Sequence, residues 1–294
     1  MPSLRLEGVP PFAFAGGSVD GTLVLEIDRP ARARDLTLSF SGREIGQVTV
    51  SAGKSTERLV QTADLLSQTI ELGQTLGFVD PEHVAPGTYR SPFRFVVPAG
   101  ATPSIATGAY AGPRGLFSSR PDGLYVEYSL VARLDVPWWT DSVTTTPLPV
   151  YSPRRVLGVA PPLVSQPNPG HPAISVVPAD PAPLVPGTAA RFSYRVDNPG
   201  GKRLRSLSLR VERLVEYVVR GYSRRVVGPA FDASAPLGGR LPAYAGELSL
   251  TVPNEADATG PWQGQLFRTY WSVRATLDVE LGLDVVVEGP LAPA

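Results

Sequence analysis

One strand pattern occurs twice in this chain, and the second copy keeps the register of the first. Residues 125–138 read YVEYSLVARLDVPW, and residues 268–281 read RTYWSVRATLDVEL. A shift of 143 positions (134→277) puts Val126 on Thr269, Tyr128 on Trp271, Leu130 on Val273, Ala132 on Ala275, Leu134 on Leu277 and Asp135 on Asp278. Two further pairs follow in the same order: 17–40 matches 185–211, and PFRFVVP (92–98) matches ELSLTVP (247–253). A duplicated strand set of this length predicts two similar β domains in tandem. The length of 294 residues fits about two domains.

Alternation with period two dominates both halves. Leu23, Leu25 and Ile27 share one face, as do Leu36, Leu38 and Phe40, and then Phe93, Phe95 and Val97. In the second half Phe192, Tyr194 and Val196 alternate with polar residues, as do Leu207, Leu209 and Val211. One apolar and one polar face per strand suits an antiparallel sandwich. The expected class is all-β, with two tandem antiparallel β-sandwich domains of immunoglobulin-like type and at most one short helix in the first. That helix candidate lies in 56–72, where Leu59, Ala63, Leu66 and Ile70 are spaced 4, 3, 4, a helical stripe. The run 152–173 holds six prolines and reads as a stiff extended connector. The expected division is therefore 1–151, a linker 152–172, and 173–294.

Composition excludes several classes. Formal net charge is zero, so no nucleic-acid footprint is indicated. Cysteine is absent, which removes disulfides, thiolate nucleophiles and cysteine metal sites. The N-terminal MPSLRLEGVPPF lacks the charged-then-apolar run of a signal peptide, and no stretch reaches the roughly 18 apolar residues of a membrane helix. A cytoplasmic protein is expected. The chain has no G-x-S-x-G, no P-loop and no G-x-G-x-x-G before a helix. His83 and His171 are the only histidines and read as loop residues without a metal partner. Asp28 and Asp197 sit at strand ends before Arg-Pro and Asn-Pro, where Asp caps its own backbone. No catalytic, cofactor-binding or metal-binding residue is expected.

The ordered matches also carry a family likeness. PGTYRSPFRFVVPAG (86–100) resembles the PG-x-Y-x-x-PF-x-F-x-x-P stretch of arrestin N-domains, and 123–138 resembles the strand that closes such a domain. Residues 184–218 look like the start of an arrestin C-domain, and 266–291 like its last two strands. The resemblance implies an arrestin-like protein of prokaryotic type that binds another protein. The signalling attachments of better-known arrestins are not visible. Met1–Val19 holds one basic residue, Arg5, in place of a phosphate-capturing basic segment, and Pro10-Pro11 and Pro161-Pro162 lack the following Tyr of a Pro-Pro-x-Tyr motif.

Candidate contact residues come from loops and charge clusters. The glycine-rich loop 106–123 is tipped by Tyr110, Arg114 and Phe117, and the matching loop 253–265 of the second half carries Trp262. Trp138-Trp139 ends a strand, and Trp139 is a candidate interface anchor beside the plainer reading of a core plug. Arg220, Arg224 and Arg225 flank Gly221 in VVRGYSRRVV, which reads as a hairpin tip. This cluster is either a solvated face or a docking patch for an anionic peptide, a phospholipid surface or a phosphorylated partner. The expected function is a non-enzymatic adaptor or scaffold for a protein partner, with a membrane surface as one setting. The alternatives are a carbohydrate- or ligand-binding sandwich, with Tyr125, Tyr270 and Trp139 as its aromatic positions, and a self-assembling structural protein. The oligomeric state stays open.

Overall fold

A computed structural model describes the chain except for residues 1, 54, 74–75, 77–83, 108–120, 138–139, 153–155, 254–260 and 293–294. All the regular structure described is β, with no helix. Two compact units form. One is Met1–Pro153 together with the short stretches Val218–Tyr222 and Gly264–Leu266. The other holds Arg154–Tyr217, Ser223–Gln263 and Phe267–Ala294.

The first unit carries β1 (Ser3–Glu7), β2 (Ser18–Ile27), β3 (Asp35–Ala52), β4 (Ser55–Glu71), β5 (Gly87–Val96), β6 (Gly123–Asp135) and β7 (Ser142–Pro147). One sheet has the order β1-β2-β5; the other has β4-β3-β6, with β7 and the short Ile105–Ala106 on the far edge of β6. The alternating residues meet between the sheets. Leu23, Leu25, Leu36, Leu38, Phe40, Leu130 and Leu134 are fully buried. Phe40 of one sheet packs on Phe95 of the other, with ring centroids 5.8 Å apart.

The second unit repeats this plan. Its strands are β8 (Ala173–Pro178), β9 (Ala189–Asp197), β10 (Leu204–Val219), β11 (Tyr222–Gly239), β12 (Ala243–Thr251), β13 (Phe267–Val279) and β14 (Val285–Pro290). Sheet orders are β8-β9-β12 and β11-β10-β13, with β14 and the short Trp262–Gln263 on the far edge of β13. Phe192, Val196, Leu248 and Leu250 form one core with Leu207, Leu209, Val211, Trp271 and Leu277.

The duplication extends to ladder register. Leu38 faces Ala132 and Phe40 faces Leu130; Leu209 faces Ala275 and Val211 faces Val273. Hairpin closure repeats as well. Asp141 Oδ1 accepts from the Val136 N–H at 3.2 Å, and Asp284 Oδ1 from the Val279 N–H at 3.1 Å. An aspartate turned back on its own hairpin backbone satisfies an N–H that the turn leaves open.

The expected helix at 56–72 is instead strand β4, paired along its length with β3. The 4, 3, 4 spacing has a strand origin. The ladder register slips between Gly42 and Arg43, which face Leu66 and Asp64, so Leu65 is an extra residue. Leu59 to Ala63 is two strand periods, Ala63 to Leu66 crosses the bulge, and Leu66 to Ile70 is two periods again. A β-bulge thus imitates a helical stripe. Gly42 is needed at the slip, because an added Cβ would lie 2.3 Å from Tyr128 Cε1.

Two short ladders form within the proline-rich run. Gly158–Val159 pairs with Pro183–Leu184, and Leu163 faces Val176. Leu157 and Leu163 join the core of the second unit.

The returning stretch Gly264–Leu266, counted in the first unit, is held by a buried carboxylate. Glu44 lies on β3, and its Oε1 accepts from the Gln265 N–H at 3.1 Å while its Oε2 accepts from the Leu266 N–H at 2.8 Å. A buried charge of this kind persists only where hydrogen bonds replace its water.

Candidate binding groove

The polar face of β13 in the second unit builds a concavity. Arg268, Tyr270, Ser272 and Arg274 alternate with the buried Thr269, Trp271 and Val273. Across the ladder to β10, Glu216 faces Arg268 and Glu212 faces Ser272. Across the ladder to β14, Glu288 faces Arg274. The short strand Trp262–Gln263 pairs with Arg268 and Thr269, beyond the end of β14. The step between these two partner strands leaves a groove of about 580 Å³. Its lining includes Arg225, Trp262, Gln263, Arg268, Tyr270 and Glu288.

The charges in and around the groove are mutually engaged. The Arg268 guanidinium donates to Glu216 Oε2 through Nε at 2.6 Å, with Nη2 2.5 Å from the same oxygen. It also lies 5.8 Å from the Tyr270 ring centre, in cation–π range. Tyr270 donates its hydroxyl to Glu216 Oε1 at 2.8 Å. Arg274 donates to Glu288 Oε2 at 3.0 and 2.6 Å, and Arg225 Nη2 stands 4.0 Å from Glu288 Oε1. The Tyr270 hydroxyl, followed by Arg268, holds the Glu216 carboxyl below the usual carboxylate range against an opposing effect of desolvation. Burial, then the Glu216 hydrogen bond, pushes the Tyr270 phenol up. Glu216 and Glu288 each accept hydrogen bonds from an arginine, and no histidine is among the described residues that line the groove. Among the described residues no group of three or more His, Asp or Glu side chains is placed to hold a metal ion.

Of the residues singled out in the sequence, Arg225, Trp262 and Tyr270 come together here. Arg224 is exposed and turns its guanidinium to the Ser223 carbonyl at 3.0 Å. Arg220 has a left-handed backbone, with φ of 47°, and its N–H donates to Gln61 Oε1 at 2.7 Å within the first unit. Tyr110, Arg114, Phe117, Trp138, Trp139 and His83 lie outside the described residues. Tyr125 is fully buried and donates its hydroxyl to the Pro121 carbonyl at 2.8 Å, so its ring offers no surface platform. His171 Nδ1 is 3.2 Å from Lys202 Nζ on an exposed turn. Arg268 and Glu288 were not singled out by sequence. Each belongs to an alternating polar face of the kind every exposed strand carries, and only the cross-strand register brings them together.

Comparison with known families settles the relationship. The sequence profile described as "Arrestin (or S-antigen), N-terminal domain" matches residues 8–156, half of the chain. The chain belongs to the arrestin family. No curated protein gives a significant match. The profile spans nearly all of the first unit, and the second unit repeats the same ladder register. An arrestin-type fold is a generally non-enzymatic, protein-binding architecture.

Proposed function

We propose that this arrestin-family protein is a non-enzymatic adaptor whose protein partner docks on an aromatic cluster of the first unit. The observation that carries this reading is a trio of surface rings. Phe12, Phe14 and Tyr151 are 42 %, 51 % and 48 % exposed. Phe12 meets Phe14 edge-on at a centroid distance of 5.4 Å and meets Tyr151 at 5.6 Å. The parallel pairing of Ala13–Phe14 with Val150–Tyr151 holds them in place. Scattered exposed apolar residues need no explanation, but rigid rings in mutual contact at a surface favour recognition of another protein. Two or three aromatic anchors of this kind dominate the energetics of many interfaces. A chain without cysteine suits a reducing compartment such as the cytoplasm.

The test is affinity capture from the native host with three baits: wild type, Phe12→Ser/Tyr151→Ser, and a charge-reversed Arg220/Arg224/Arg225 variant. A partner recovered by the wild type and the arginine variant, but lost by the aromatic variant, supports the reading. Loss only in the arginine variant moves the docking surface to the hairpin. Capture by no bait removes the adaptor assignment.

A further inference from the structure

The groove of the second unit carries a separate conclusion, independent of the adaptor reading. We propose that it is a binding site for a neutral oligosaccharide. A sugar presents an apolar C–H face and pairs of vicinal hydroxyls. The first packs on aromatic rings, and the second takes paired hydrogen bonds from planar polar groups. The groove supplies both. Trp262 and Tyr270 are partly exposed aromatic residues, and the guanidinium of Arg225, the carboxylate of Glu288 and the amide of Gln263 are the planar polar groups. Its volume of about 580 Å³ falls within the roughly 300–1,000 Å³ of small-ligand sites.

Charge decides between a neutral and an anionic ligand. Arg268 is already neutralised by Glu216 at 2.5–2.6 Å, and Glu288 holds Arg274 at 2.6 Å with Arg225 4.0 Å away. A phosphate or carboxylate ligand would have to displace an internal carboxylate from its guanidinium and would face Glu288. A polyol keeps every ion pair and adds hydrogen bonds to their unused donors and lone pairs. The ordered pairs also cost little further immobilisation on binding, because Arg268 is fixed both by Glu216 and by the Tyr270 ring.

The experiment applies the full-length protein to a printed array of neutral and acidic oligosaccharides, followed by calorimetric titration of the best-retained glycan. Neutral glycans are expected to be retained in preference to acidic ones. Trp262→Ala and, separately, Arg225→Ala are expected to weaken that binding by about tenfold or more. Arg225 is a half-exposed side chain, so its loss is expected to leave the fold intact, and circular dichroism of the variant checks this. The Phe12→Ser/Tyr151→Ser variant is expected to bind sugar as the wild type does, which separates this site from the docking cluster. Retention of no glycan, retention of acidic glycans alone, or equal binding by wild type and both groove variants would each overturn the proposal.

Discussion

Tyr270 donates its hydroxyl to Glu216 Oε1 at 2.8 Å, although the residue directly across the ladder from Glu216 is Arg268. The diagonal contact puts one carboxylate under two donors of different kinds, a neutral phenol and a guanidinium. The carboxyl is thereby held below its usual range, with the phenol as the largest cause. The side chain is 25 % exposed, so solvent screens part of this effect.

That arrangement fixes an acid dependence. A carboxylate with a lowered folded pKa adds stability that is complete above its unfolded value of 4.5 and is lost as pH falls through the lower folded value. In Tyr270→Phe the folded value rises toward 4.5. The wild type should therefore exceed this variant by on the order of 1 kcal/mol at neutral pH, and the gap should close as the solution is acidified below pH 4.5. Urea unfolding at a series of pH values measures it. A gap that widens in acid contradicts the assignment.

At the alkaline end, Tyr128 governs a second window. Burial, with a smaller contribution from the Glu44 charge, pushes its phenol up from 10.0 to about 12. The folded protein then holds a proton that the unfolded chain releases, so stability falls as pH rises through this interval. The loss is roughly 2–3 kcal/mol, from about 1.4 kcal/mol per pKa unit. Tyr128→Phe also forfeits the hydrogen bond to the Thr102 carbonyl at 2.7 Å. It should start less stable than the wild type and show a flatter decline across the window, visible in unfolding midpoints as the pH is raised from 10.0 to about 12.

Removal of the Glu44 carboxylate tests the hold on residues 264–266. Glu44→Ala leaves the N–H groups of Gln265 and Leu266 without their acceptors in a buried setting. Each unmet donor costs roughly 1–3 kcal/mol. Hydrogen exchange at these two amides should speed up in the variant while amides in β8 and β9 keep their rates. Unchanged protection at 265 and 266 would show that the carboxylate does not hold them.

Because the two units share one register, equivalent truncations should cost alike. Leu134 and Leu277 are both fully buried and face Leu36 and Leu207. Leu134→Ala and Leu277→Ala should each destabilise the protein by about 2–5 kcal/mol. Chemical denaturation followed by tryptophan emission reads both. A cost below about 1 kcal/mol at one site alone would mean that its surroundings collapse into the space where the other's do not.

The tandem β architecture was legible in the residues because burial on a strand is a local, period-two property. Leu36-x-Leu38-x-Phe40 and Leu207-x-Leu209-x-Val211 declare their buried faces without reference to any partner. The 143-residue repeat did the same for the pairing order, since Asp135 and Asp278, Tyr128 and Trp271 hold equivalent ladder positions. The character of β4 was not legible. Its 4, 3, 4 spacing is a strand period interrupted by a bulge, and a bulge exists only relative to the neighbouring strand. The groove belongs to the same class. Arg225, Trp262, Arg268, Tyr270 and Glu288 come from four separate stretches of chain, each an ordinary alternating or turn sequence taken alone. Sequence determined which residues turn inward, because hydrophobic burial depends on each strand's own alternation. Tertiary structure decided which outward residues meet, because register and strand order set distances between side chains that the chain itself keeps far apart.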